Sequence, residues 1–232
     1  MEKKLEFFID GTPEEKIIFE VRKMINLGRT SRNPEDIMKH LEELKKAGIK
    51  VSPGIPSYNP KIKDRITTGN EIEVLPNSRT SGEVEYVLLF TNDSSFYVTV
   101  GSDQTDRELE KSDVVLSKQI CLNVVSPKIW RYEEIKDHWD DIIMRAWVKK
   151  DDKRQLYQEG KLGEMLRPDE LIEKVRLRVS GDLTGAVVYG GTFPIIGGEL
   201  SFSQYFEVEL IDEQLKRKIQ HTYYAKPIPW FK

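Results

Sequence analysis

The chain has 232 residues, and its 36 Lys and Arg against 39 Asp and Glu give a formal net charge of -3. That length builds a core without stapling, the near-even balance lacks the basic excess of a nucleic-acid binder, and the lone cysteine, Cys121, excludes an internal disulfide or a multi-cysteine zinc site. No apolar run is long enough to cross a bilayer as a helix, and Met1–Lys4 is followed by only a short apolar patch, so a cytoplasmic protein without a signal peptide is expected.

In chain order, Leu5–Ile9 and Ile17–Val21 are β-prone runs around a Gly/Pro turn and predict a hairpin. The stretch from Leu27 to Arg32 reads as loop. Asn33-Pro34-Glu35-Asp36 starts a helix, with a capping Asn, Pro at the first position and acids in the first turn. Ile37, Leu41 and Leu44 form its apolar stripe and Gly48 ends it. Residues 51–69 are rich in Pro, Gly and Asn and read mostly as a long loop, a kind of segment that is often functional. The middle of the chain is β-rich. Short and long strands are expected at Glu71–Val74 and Gly82–Phe90, followed by a turn at Asn92–Ser95 and a return strand from Phe96 to Gly101. Thr105 and Glu108 fit a capping box and predict a short helix over 106–111. Ile135, Trp139, Ile142, Ile143 and Ala146 lie at helical spacing, predicting a long helix over 132–149. Pro168-Asp169-Glu170 opens another helix, and Ala186–Tyr189, Tyr205–Leu210 and Lys218–Tyr224 are strands. The pattern is α+β, dominated by a mixed sheet or barrel, with a small N-terminal portion over 1–55 and a β-rich domain over 56–232.

The strand at 82–90 is the most informative. Side chains alternate along a strand, so Glu83, Glu85, Val87 and Leu89 share one face while Val84, Tyr86, Leu88 and Phe90 form the other. A strand apolar on both faces is buried on both. Two carboxylates about 7 Å apart on such a strand repel each other and need a positive partner. A divalent cation meets that need, because hard cations take carboxylate oxygens; a Lys or Arg partner meets it too. If Asn92-Asp93-Ser94 is a three-residue loop, Phe90 faces Phe96 and Glu83 faces Asp103, bringing a third carboxylate to the same face.

Glu83-x-Glu85, then Asp103-Gln104-Thr105-Asp106-Arg107, then Ser117-Lys118-Gln119 resemble the fumarylacetoacetate hydrolase superfamily. Gly185-Ala186-Val187-Val188-Tyr189-Gly190-Gly191-Thr192-Phe193-Pro194 resembles that superfamily's strand ending in T-G-T-P, and the likeness runs from about Arg79 to Ala225. The resemblance implies a mixed sheet and β-roll with flanking helices. It implies Mg²⁺, or Mn²⁺ or Ca²⁺, on Glu83, Glu85 and Asp103, with Lys118 and Arg107 as catalytic groups. It also makes Thr192 and Arg107 contacts of a substrate carboxylate, and a homodimer the expected assembly. The implied activity is on a 2-oxo acid or β-diketo acid through a metal-stabilised enolate: C–C hydrolysis, decarboxylation, tautomerisation or dehydration. A Lys beside a metal is expected to have a lowered pKa.

The sequence departs from the superfamily at one point. Its hydrolases activate water with a His upstream of the E-x-E strand, and here the corresponding loop reads Pro56-Ser57-Tyr58-Asn59-Pro60. Tyr58 is a candidate for lining a pocket, while His40, His138 and His221 lie elsewhere. Two further classes stay open: a metal-free binding or scaffold protein on the same fold, and a cupin-like barrel, against which the three scattered histidines argue. No nucleic-acid or membrane partner is expected.

Overall fold

The structure, a computed structural model, describes residues 2–12, 15–35, 37, 38, 41, 42 and 54–230. Among them the N-terminal hairpin forms as the apolar runs dictate, Lys3–Ile9 against Lys16–Val21. Asn33 caps the following helix through its side-chain oxygen, which accepts from the Glu35 amide at 3.0 Å. Ile37 is buried on that helix; Leu44 and Gly48 lie outside the described residues.

The strands assemble into two main sheets. The first runs Lys16–Val21, Lys3–Ile9, Lys128–Arg131, Phe96–Ser102, Val84–Phe90, Ala186–Tyr189, Lys23–Gly28 and Ser57–Pro60, with Asn123–Val125 and Ile66–Thr67 branching from the Phe96–Ser102 strand. The second runs Lys153–Lys161, Ile143–Lys150, Tyr205–Asp212, Arg217–Pro227 and Glu71–Val74. Parallel and antiparallel pairs mix in both. This is the expected α+β architecture dominated by mixed sheet.

Val84–Phe90 is buried along its whole length. Val84, Tyr86, Leu88 and Phe90 enter a core shared with the inner face of the second sheet, including Met144, Val208, Leu210 and Ile219. Val87 and Leu89 enter a second core with Leu5, Phe7, Ile9 and Phe19 of the hairpin. Strands distant in the first sheet thus meet over one face, so that sheet is curled.

Three expectations are corrected. The predicted long helix is a helical turn at Tyr132–Ile135, a 3₁₀ stretch at Lys136–Asp141 and then the strand Ile143–Lys150. Met144, Ala146 and Val148 are its buried side, a period of two in place of the helical spacing that put Ile143 and Ala146 on one face. Leu27 and Gly28 end a strand, not a loop, because Lys23–Gly28 pairs with Ala186–Tyr189 on one side and Ser57–Pro60 on the other. The short helix Arg107–Glu110 is capped by Asp106, whose carboxylate accepts from the Glu108 and Leu109 amides; Thr105 instead pairs with Ser81 and turns inward.

Candidate metal centre

The turn arithmetic holds. Phe90 pairs with Phe96, and the Thr91 amide donates to the Ser95 carbonyl at 3.0 Å, leaving Asn92-Asp93-Ser94 as the loop. The Asn92 side chain shapes it by accepting from the Ser94 and Ser95 amides. At the other end, Glu83 and Asp103 exchange backbone hydrogen bonds of 3.2 and 3.0 Å and so face each other. Glu83, Glu85 and Asp103 each offer a carboxylate oxygen, all within 4.8 Å of one another. Glu85 lies opposite Gly101, where a Cβ would come within 2.5 Å of the Val124 carbonyl; only glycine lets the sheet close here.

Cations surround the carboxylates. Lys118 comes from the helix Val114–Ile120, whose patterning is inverted: Lys118 and Ser117 are buried while Leu116 and Ile120 are exposed. Its Nζ donates to Asp103 Oδ2, to Glu83 Oε2 at 3.2 Å and to Thr105 Oγ1 at 3.5 Å. Arg107 is no surface residue. Its Nε donates to Ser81 Oγ at 2.6 Å, and its Nη1 lies 3.0 Å from Glu83 Oε1 and 2.9 Å from Glu110 Oε2. Lys61, Glu110 and Ser81 belong to the cluster without a local sequence signal. Lys61 Nζ lies 3.5 Å from Asp103 Oδ1.

The charges split the two glutamates. Burial pushes Glu83 up, but Lys118 and Arg107 outweigh it and bring its carboxyl down to about 2. Burial and the neighbouring Asp103 push Glu85 well above the usual carboxylate range. For Lys118, burial lowers the pKa, yet Asp103 and Glu83 outweigh it and raise it above an ordinary lysine in the metal-free cluster.

The donor set fits a hard divalent cation. It is all carboxylate oxygen. Asp103 Oδ1 is buried with no hydrogen-bond partner, and buried acceptors are ordinarily satisfied. One Glu85 oxygen accepts from the Gly191 amide at 2.6 Å, which ties the E-x-E strand to the loop after Tyr189. On that loop Thr192 Oγ1 accepts from Gln158 Nε2 at 2.8 Å; the same Gln158 accepts from the Val84 amide. Tyr58 is not drawn into the cluster: its hydroxyl donates to the Lys174 carbonyl at 3.4 Å and Arg178 covers its ring. Nor are the described histidines. His138 pairs with Asp212 and His221 with the Gly69 carbonyl. His40 lies outside the described residues.

The family model described as "Protein of unknown function (DUF2848)" matches residues 27–223. No curated protein matches the sequence. Among solved structures, the chain is similar to yeast ynq8, a fumarylacetoacetate hydrolase family protein, with a TM-score of 0.67 and 17% identity over 91% of this chain and 96% of that one. It is similar to 2-keto-3-deoxyarabinonate dehydratase, at 0.67 and 16%, over 92% and 77%. It is also similar to 5-carboxymethyl-2-hydroxymuconate delta-isomerase from Mycobacterium smegmatis, at 0.60 and 17%, over 90% and 80%. The fold is that of fumarylacetoacetate hydrolase family proteins.

Proposed function

The chain belongs to the DUF2848 family, and we propose that it is a divalent-metal-dependent enzyme acting on a 2-oxo acid or β-diketo acid. The observation that carries this is the buried trio Glu83, Glu85 and Asp103, whose Asp103 Oδ1 accepts no hydrogen bond and faces only Lys61 at 3.5 Å. These three residues would hold the ion, with Mg²⁺, Mn²⁺ and Ca²⁺ as the candidates. When bound, it supplies Lewis-acid polarisation of a substrate carbonyl.

The chain's own residues do the rest. Lys118, paired with Glu83 and Asp103, would present positive charge and N–H donors to an oxyanion developing beside it. Arg107 anchors Glu83 and adds charge that favours a substrate carboxylate. Because Gln158 donates into the Thr192 oxygen, the Thr192 O–H is left to donate to that carboxylate. These roles serve hydrolysis, decarboxylation, tautomerisation and dehydration alike. Neither described histidine supports a His-activated water. The same reading carries a homodimer, which light scattering tests. No helix among the described residues is long and apolar enough to cross a membrane; a cytoplasmic location is part of the same proposal.

One observation favours the second reading, a metal-free binding or scaffold protein: Lys61, Lys118 and Arg107 already neutralise much of the cluster. Metal analysis and thermal-shift titration with Mg²⁺, Mn²⁺ and Ca²⁺ decide between them. The wild type is expected to gain several degrees on saturation with the cation it binds, as mass action requires, and Glu85→Gln to lose most of that gain. Equal shifts in both proteins would remove these ligands; no shift with any of the three cations would favour the scaffold.

A further inference from the structure

The segment that lacks the superfamily's histidine delivers a lysine instead. Lys61 follows the strand Ser57–Pro60, and its amide is fixed by the Met24 carbonyl at 2.9 Å. Its side chain runs inward until it is 1% exposed. There Nζ donates to Asn123 Oδ1 and lies 3.5 Å from Asp103 Oδ1. Asn123 is set to accept, since its own Nδ2 donates to Asn26 Oδ1 at 3.2 Å and its backbone amide to the Arg65 carbonyl at 2.9 Å. On one side Lys61 therefore meets neutral amides, and on the other the carboxylate Asp103, which it shares with Lys118.

Charge bookkeeping gives this lysine a role. The cluster holds four carboxylates, Glu83, Glu85, Asp103 and Glu110, and three cations, Lys61, Lys118 and Arg107. With all three coordinating carboxylates ionised, as coordination requires, a divalent ion on them leaves the cluster with a sum of one positive charge. Arg107 and Lys118 keep direct ion pairs with Glu83, and Arg107 a second with Glu110. Lys61 keeps only a share of Asp103. Buried away from water, its charge acts on a nearby ion at low effective dielectric.

We infer that Lys61 sets the charge of the site, weakening its hold on the divalent cation and leaving the loaded site net positive for an anionic ligand. This rests on the metal-centre reading above. Lys61 acts through Asp103 and the ion, not by covalent chemistry. A gain of cation affinity on its removal is the signature, because damage to packing would lower affinity and not raise it.

The test is Mn²⁺ titration of wild type, Lys61→Met and Lys61→Arg, followed by calorimetry and thermal shift. Lys61→Met is expected to bind Mn²⁺ at least about tenfold tighter, and Lys61→Arg, which keeps the charge, within about threefold of wild type. If Lys61→Met does not fold, Lys61→Gln, which keeps a polar reach to Asn123, carries the same expectation. Unchanged or weaker binding in the charge-free variant, with wild type responding to Mn²⁺, overturns this inference alone. A wild type that ignores every divalent cation overturns it together with the metal-centre reading.

Discussion

Asp212 is a buried carboxylate at the end of the strand Tyr205–Asp212, and it works by holding a turn. It accepts from the Leu215 amide at 3.0 Å and Arg217 Nε at 3.4 Å, and pairs with His138 Nε2 at 3.1 Å. Burial pushes its pKa up, but the Leu215 amide, His138 and Arg217 outweigh that and hold it below the usual carboxylate range. The folded state thus favours the charged form. The stability this adds is complete above the unfolded carboxyl's value of about 3.9 and is lost as pH falls through the lower folded value. Asp212→Asn should cost about 1–3 kcal/mol at neutral pH, and urea denaturation should show the gap to wild type closing below about pH 4. A gap that does not change with pH would mean that the cost comes from packing and hydrogen bonds and not from the carboxylate charge. The residues of the carboxylate cluster were legible in proportion to how locally they are specified. Glu83, Glu85 and Asp103 follow from strand alternation and one turn length. Lys61 meets Asp103 only through tertiary packing, so no spacing announces it. Asp106 displaces Thr105 as the helix cap because Thr105 is committed to pairing with Ser81, a partner far away in sequence.

At the scale of elements, the clearest constraint is the seam between Val84–Phe90 and Ala186–Tyr189. The Gly190 amide donates to the Tyr86 carbonyl at 2.9 Å, just past the paired strand. A Cβ at Gly190 would come within 2.1 Å of the Tyr86 ring. That ring has little room to retreat: it packs edge-on against Trp139, and its hydroxyl donates to the Leu166 carbonyl at 3.0 Å. Gly190→Ala should therefore destabilise by about 1–3 kcal/mol through overpacking. Because Gly191 carries the amide that holds Glu85, the variant should also bind divalent cation more weakly. A variant with wild-type melting temperature and cation affinity would show that the seam has slack. Most strands could be located from their composition, and this seam shows the limit of that. Ala186–Tyr189 reads as a strand, but its neighbours do not, since β pairing is chosen by packing across the whole chain. The region 132–149 failed for a related reason. Apolar residues at 135, 139 and 142 keep helical spacing through the turn and 3₁₀ stretch, while 144, 146 and 148 have already switched to a period of two.

For the whole molecule, the E-x-E strand is the wall between two cores. One lies between the sheets; the other is closed by the N-terminal hairpin, where Phe7 is fully buried and stacks edge-on with Phe19 at 6.1 Å. Val87 and Leu89, on the same strand face as Glu83 and Glu85, pack into that second core. The hairpin also pairs with Lys128–Arg131, next to the strand that carries Asp103 at its end. The strands Lys3–Ile9, Lys16–Val21 and Lys23–Gly28 therefore share hydrogen-bonded sheet and buried surface with the carboxylate cluster, and their stabilities should be coupled. Phe7→Ala removes a large side chain from a site with no exposure, which should cost about 3–5 kcal/mol. A protein of this size loses roughly 2–4 °C per kcal/mol. The coupling makes a sharper demand: wild type and Phe7→Ala should each unfold in one transition, with coincident curves from tryptophan fluorescence and circular dichroism. The variant's midpoint should be lower and its denaturant slope unchanged. A separate early transition in Phe7→Ala, leaving the remainder folded and still stabilised by divalent cation, would show that the hairpin is an independent unit and that the second core does not support the site.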